Sequence, residues 1–176
     1  DVEGHYGEGF AGDVWTIEAV FTLGHTSRHF AYALLDENAL FPGDHIMGWS
    51  TTVVAPPDGD MGAFLRSLDR LGQEEAGRYY PAHGGPVGNP SGRLSELTRH
   101  RRSREAQILA ALAKDPSNAS RIARRIYDTT PPALMPAAER NVLAHLIDLA
   151  ERSLVTPSGM LRADSTFTLS DSATFL

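Results

Sequence analysis

The amino-acid sequence predicts an α+β chain in two parts, and three observations carry that prediction. Residues 1–97 alternate short β-branched and aromatic runs with one clearly amphipathic helix. Residues 98–176 offer three helical stripes and then two short strands around a glycine. The chain has 176 residues, 41% of them hydrophobic, enough for one domain with a small second one.

The elements follow in order. Val14 to Phe21 is rich in β-branched and aromatic residues and predicts a strand. Phe30 to Leu35 and Ala39 to Phe41 are two further apolar runs. The polar turn Asp36-Glu37-Asn38 between them makes a hairpin. Met61, Phe64, Leu65, Leu68 and Leu71 share one helical face, with Asp60 as a candidate cap and Gly72 as the stop. Arg78-Tyr79-Tyr80 is a fourth, shorter strand. After Pro90, Leu94, Leu97, Ile108, Leu109 and Leu112 mark one long helix or two in tandem. Ala119 to Tyr127 is the next helix, capped by Ser117 or Asn118, with Ile122, Ile126 and Tyr127 inward. Pro136 opens another, whose stripe is Val142, Leu143, Leu146, Ile147 and Leu149. Leu154 to Thr156 and Met160 to Leu169 then flank Ser158-Gly159. Three helices followed by a hairpin is the order of a winged helix.

Composition narrows the function classes. The chain has no cysteine, so a disulfide scaffold and a thiolate metal site are both excluded. No secretory leader is visible, and no apolar run approaches the roughly 18–20 residues of a membrane span. A cytoplasmic protein without a membrane partner is therefore expected. The net charge of −6 is uneven: residues 1–99 hold 6 Arg or Lys against 14 Asp or Glu, whereas residues 100–176 hold 10 against 8. That balance argues against unspecific binding to a nucleic-acid backbone through the first part.

Three segments place chemistry at strand ends: Gly24-His25, Gly43-Asp44-His45, and His83-Gly84-Gly85. In each, a glycine lets the chain turn tightly while a polar side chain stands at the end of a strand. Imidazole and carboxylate suit zinc, manganese or iron. A carboxylate can bridge two cations while each imidazole terminates one, so His25, Asp44 and His83 are the expected metal ligands. His29 is a candidate for supporting a ligand or facing substrate. His45, next to Asp44 along a strand, is expected to point the opposite way, into the core or behind a ligand. Trp49 either lines the mouth of the site or packs. His5, His100 and His145 have no chemical company and read as surface or helix residues. Arg121, Arg124 and Arg125 read as a solvated helix face ahead of a phosphate-contacting one, and the mixed charges of the following helix make a poor DNA-reading surface.

The stretches Gly24-His25-Thr26-Ser27-Arg28-His29, Leu40 to Thr52, Pro57-Asp58-Gly59-Asp60-Met61 and Pro81-Ala82-His83-Gly84-Gly85 resemble the metallo-β-lactamase-fold hydrolases. More narrowly they resemble the lactamase-β-like endoribonuclease branch and its bacterial relatives, which carry a C-terminal winged helix. The resemblance implies the C-terminal half of an αββα sandwich over residues 1–97 and a winged helix over 98–176. It also implies two divalent ions, zinc first and manganese or iron as substitutes, with the residue matching Asp44 bridging them. The family takes its other ligands from a His-x-His-x-Asp-His segment that this sequence lacks, and Leu23 stands where proline is more usual. The chain, starting at Asp1, is therefore expected to hold only the C-terminal portion of the catalytic domain. No catalytic residue beyond the metal ligands is assigned.

The function implied is a metal-dependent hydrolase whose metal-bridging hydroxide attacks an ester, thioester or phosphodiester, incomplete in this chain alone. A small ester or thioester is favoured over RNA because the chain is acidic. Single-stranded RNA cleavage is one alternative. A non-enzymatic binding or assembly module is the other, either as a homo-oligomer or in association with the missing N-terminal half.

Overall fold

The computed structural model describes residues 9–74 and 76–170. They fall into two compact units. One is formed by the described residues up to Thr52 together with Ala63–Thr98, the other by Val53–Gly62 together with the residues from Arg99 onward.

The first unit is built on a five-stranded sheet. Its strands are β1 (Gly9–Ala11), β2 (Thr16–Phe21), β3 (Phe30–Leu34), β4 (Ala39–Phe41) and β5 (Arg78–Tyr79), and they lie in that order. β1 to β4 pair antiparallel, and β5 lies parallel to β4. The hairpin expected between β3 and β4 forms, closing through a short 3-10 turn at Leu35–Glu37 and a left-handed Asn38. The strand expected from Val14 starts only at Thr16. Val14 and Trp15 instead belong to a turn that Gly12 N–H closes onto the Trp15 carbonyl at 2.8 Å, and Val14 is largely exposed.

Alternation along the strands gives the sheet two unlike faces. Val20, Ala31, Ala33, Leu40 and Tyr79 share one face by register, and all are buried. Helix α1 (Met61–Leu71) covers that face with Phe64, Leu65, Leu68 and Leu71. It is anchored by Tyr79 Oη donating to the Leu71 carbonyl and by Ser67 Oγ donating to the Leu23 carbonyl. The opposite face carries Phe10, Ile17, Phe21, Phe30, Tyr32, Leu34 and Phe41. There Phe10, Tyr32 and Phe41 are each more than two-fifths exposed, and Phe41 stacks on Tyr80.

Helix α2 (Pro90–Leu112) is one continuous helix rather than two, and it contributes residues to both units. In the second unit Ile108 and Leu112 of α2 meet Ile122 of α3 (Ala119–Ile126), and Val142, Leu146 and Leu149 of α4 (Met135–Glu151). Val155 of β6 (Val155–Pro157) and Phe167 of β7 (Phe167–Leu169) close this core. Asn118 caps α3 by accepting from Arg121 N–H at 2.9 Å, one of the two caps expected. Ser117 and Phe167 exchange backbone hydrogen bonds, adding a third segment beside the β6–β7 hairpin. The two strands are shorter than the sequence suggests, because residues 158–166 form the loop between them.

Candidate functional site

Topology brings the predicted ligands to one edge. β2, β4 and β5 all run in the same direction, since β3 is antiparallel to both β2 and β4 and β5 is parallel to β4. His25, Asp44 and His83 each follow the C-terminal end of one of these strands, so all three stand at the same edge of the sheet.

Backbone contacts then fix the loops. After β2, Thr22 N–H donates to the His29 carbonyl at 3.0 Å and Gly24 N–H to the Thr26 carbonyl at 3.1 Å. Gly24 has φ +121°, and a β-carbon there would lie 2.2 Å from the Phe64 nitrogen. Only glycine lets this loop sit against the start of α1. The loops carrying Asp44 and His83 are tied to each other. Ala82 N–H donates to the Gly43 carbonyl at 3.1 Å, and Gly48 N–H to the His83 carbonyl at 2.8 Å. Thr52 Oγ1 donates to the Asp44 carbonyl, which closes the loop between them.

The result is a close pair of side chains. Asp44 Oδ1 lies 3.3 Å from His83 Nε2. That oxygen is buried and accepts no hydrogen bond, an arrangement that leaves a carboxylate lone pair unsatisfied. Two donors held at roughly 2.0–2.2 Å by one tetrahedral ion lie about 3.3–3.6 Å apart, so the pair has the span of one edge of a coordination shell. Among the described residues no three His, Asp or Glu side chains gather into a group able to enclose a metal. His25 shares the edge but does not complete such a group. The donors present thus fit part of a metal site.

The supporting residues differ in character. His29 Nδ1 and Thr22 Oγ1 share a hydrogen bond of 2.7 Å, and the Nε2 side of the ring fills the space where a β-carbon on Gly43 would stand. Burial first, and the neighbouring His25 second, hold its imidazole below the usual pKa, against an opposing pull from Asp44. His29 thus reaches from the loop that carries His25 and packs its ring against Gly43, beside Asp44. His45 is not on a strand; it sits in the turn after β4, fully buried, with its ring 4.4 Å from that of Phe64. Trp49, for which packing is the commoner expectation, is 74% exposed beside Gly84.

Outside this edge, one histidine and the arginine cluster stand in surroundings of their own. His145 lies on α4 but is fully buried, and its two ring nitrogens make no hydrogen bond. Burial, reinforced by Arg101, His100, Arg152 and Arg102, lowers its pKa to about 3. The arginine cluster of α3 is partly spoken for: Asp115 binds Arg121 at 3.1 Å and Arg125 at 2.7 Å. His5 lies outside the described residues. The sequence reading missed Thr22, Thr52 and Arg93 as supports of the loops, because hydrogen bonds to loop carbonyls leave no periodic signature.

Comparison with known proteins finds two families along the chain. Residues 1–83 match the Metallo-beta-lactamase superfamily, and residues 119–160 match the Beta-lactamase associated winged helix domain. A Beta-lactamase-like protein 2 homolog of Drosophila melanogaster is 34% identical over 136 residues, which is 76% of this chain and 45% of the relative. A Lactamase-like protein nscB of Arthroderma gypseum is 39% identical over 100 residues, 57% of this chain and 31% of the relative. The crystal structure of a metallo-beta-lactamase family protein from Thermus thermophilus superposes with a TM-score of 0.81 at 27% identity, covering 94% of this chain and 53% of that one. A beta-lactamase domain protein from Burkholderia ambifaria shares the fold, with a TM-score of 0.84 at 21% identity over 94% of this chain and 51% of its own. The chain spans less than half the length of these curated relatives.

Proposed function

From a chain that carries metallo-beta-lactamase superfamily sequence followed by a beta-lactamase associated winged helix, we propose a metal-dependent hydrolase centred on the Asp44–His83 pair. The observation that carries the reading is the buried, hydrogen-bond-free Asp44 Oδ1 lying 3.3 Å from His83 Nε2. In this reading Asp44 and His83 hold a divalent ion, zinc first and manganese or iron as substitutes, and His25 contributes from the same edge. Such an ion supplies Lewis acidity toward an ester, thioester or phosphodiester. The protein groups supply placement: the paired loops set the ligand spacing, His29 packs its ring against Gly43 beside Asp44, and exposed Trp49 offers an aromatic surface to substrate beside His83.

A small ester or thioester remains the favoured substrate over single-stranded RNA. The acidic first part of the chain repels a phosphate backbone, and Asp115 already engages two of the three clustered arginines. Among the described residues no helix is long and apolar enough to cross a membrane, and a cytoplasmic setting stays part of the proposal. The direct test is zinc titration of the intact chain by calorimetry. Asp44→Ala and His83→Ala should each weaken the tightest site at least tenfold. Affinities equal to the parent chain in both variants would remove the pair as ligands.

The outer sheet face favours a second reading. Phe10, Tyr32 and Phe41 are exposed on one face with the partly buried Ile17, Phe21, Phe30 and Leu34, and apolar sheet faces normally pack against another layer at about 10 Å. This supports an assembly module that seats a second β-sheet, from another copy or from the region that the relatives have and this chain does not span. Sedimentation velocity should show self-association that the Tyr32→Lys/Phe41→Lys variant abolishes; a parent chain that is monomeric at high concentration counts against the homo-oligomer.

A further inference from the structure

We propose that Arg93 is a positioning residue for the Asp44–His83 pair, acting through the loop of residues 45–52; the functional part of this inference rests on the metal-ligand reading above. That loop contains neither helix nor strand, so its carbonyls depend on donors from elsewhere. Arg93, in the first turns of α2, supplies them. Its Nε and Nη2 both donate to the Met47 carbonyl, at 3.1 and 2.9 Å, and Nη2 donates also to the Ser50 carbonyl. The remaining arm, Nη1, donates to Glu96 Oε2 at 2.8 Å, which fixes the rotation of the guanidinium. The side chain is only 11% exposed, so these charge-assisted bonds are shielded from solvent.

The braced loop leads directly to both members of the pair. Gly48, next to Met47, donates to the His83 carbonyl, and its α-carbon packs so tightly that a β-carbon would fall 2.3 Å from the Gly85 carbonyl oxygen. Thr52, two residues past Ser50, holds the Asp44 carbonyl. Arg93 thus grips the loop at Met47, just before the Gly48 attachment to His83, and at Ser50, between Gly48 and the Thr52 attachment to Asp44, while hydrogen-bonding to neither Asp44 nor His83. A rigid planar fork is needed to serve two carbonyls at once. Lysine offers a charge of similar reach without the fork. Groups that orient metal ligands in this indirect way typically change metal affinity about 10–100-fold when removed.

The test compares the intact chain with Arg93→Ala and Arg93→Lys in two measurements. Amide hydrogen exchange should quicken at least tenfold at Gly48 in Arg93→Ala while Val20 and Leu40 in the sheet keep their rates. Arg93→Lys should fall between the two. Cobalt titration, read by visible absorption, should show weaker binding with an altered band in Arg93→Ala and partial recovery in Arg93→Lys. A general loss of folding would speed exchange at Val20 and Leu40 as well; the lysine variant, which keeps the aliphatic stem and charge, then decides the matter by its Gly48 rate. Unchanged Gly48 exchange overturns the positioning role. If His83→Ala leaves cobalt binding unaltered, the metal-ligand reading falls instead, and Gly48 exchange still decides whether Arg93 holds the loop.

Discussion

The two units handle polar side chains in opposite ways. In the first, His25, Asp44 and His83 stand on loops at a sheet edge, and the backbone holds them there through inter-loop hydrogen bonds and glycines in close contact. In the second, a polar stripe runs along the inner side of α4. Asn141 accepts from Val54 N–H at 3.0 Å and Arg101 Nη1 at 3.1 Å; His145 follows one turn on; Asp148 pairs with Arg152, which also binds Glu105 of α2. Arg101 is itself fully buried, and burial lowers its pKa to about 10. A histidine beside a carboxylate near solvent is available for ligation. A histidine buried among cations is held neutral and contributes only structure. The same residue type therefore carries different information in the two places, and its surroundings decide which.

The largest expected effect probes the backbone half of this contrast. Gly24→Ala forces a β-carbon to within 2.2 Å of the Phe64 nitrogen at a φ of +121°. Strain and overpacking together should remove about 3 kcal/mol or more in urea unfolding. Gly85→Ala is the matched control beside His83: a β-carbon there meets nothing within 4 Å. Its effect should stay within about 1 kcal/mol, with a small gain from a stiffer unfolded chain. If both alanines cost the same, the loops are not held by close backbone approach.

Much of this architecture was legible from residue order. The α1 stripe, the β3–β4 hairpin and the Asn118 cap follow from local patterns whose physics is local. The three glycine-flanked strand ends also announced themselves, because glycine and histidine are conspicuous after apolar runs. What the sequence hid was long-range. The 3.3 Å spacing of Asp44 and His83 depends on parallel pairing of β4 with β5, strands separated by α1. Arg93 reaches back more than forty residues to Met47 and Ser50. His145 read as unremarkable because the charges that act on its buried ring, Arg101, His100 and Arg102, come from α2, far from it in sequence. The open face carrying Tyr32 and Phe41 was hidden too: alternation reveals that a strand has two faces, and tertiary packing alone decides which is covered.

A smaller effect tests the buried half of the contrast, through pH. In the unfolded chain His145 titrates near 6.5, whereas in the folded chain its pKa is lowered to about 3. Above pH 6.5 both states carry a neutral ring, and the folded state loses nothing. As pH falls below 6.5 the unfolded ring binds a proton that the folded ring refuses, so stability declines down to about pH 3 at up to about 1.4 kcal/mol per pH unit. Asp148 acts with the opposite sign, because burial raises its pKa and the folded state takes up its proton first. The His145 contribution is therefore cleanest between pH 6.5 and 5, before unfolded carboxylates titrate. Over that window His145→Leu should flatten the decline by about 2 kcal/mol in urea unfolding, after subtraction of its pH-independent effect. His29, whose imidazole burial likewise holds below its usual pKa, remains in the variant and leaves a residual slope of the same sign. Equal slopes in the two proteins would mean that His145 reaches water in the folded chain, and the contrast between a buried seam and an open edge would then fail at its clearest residue.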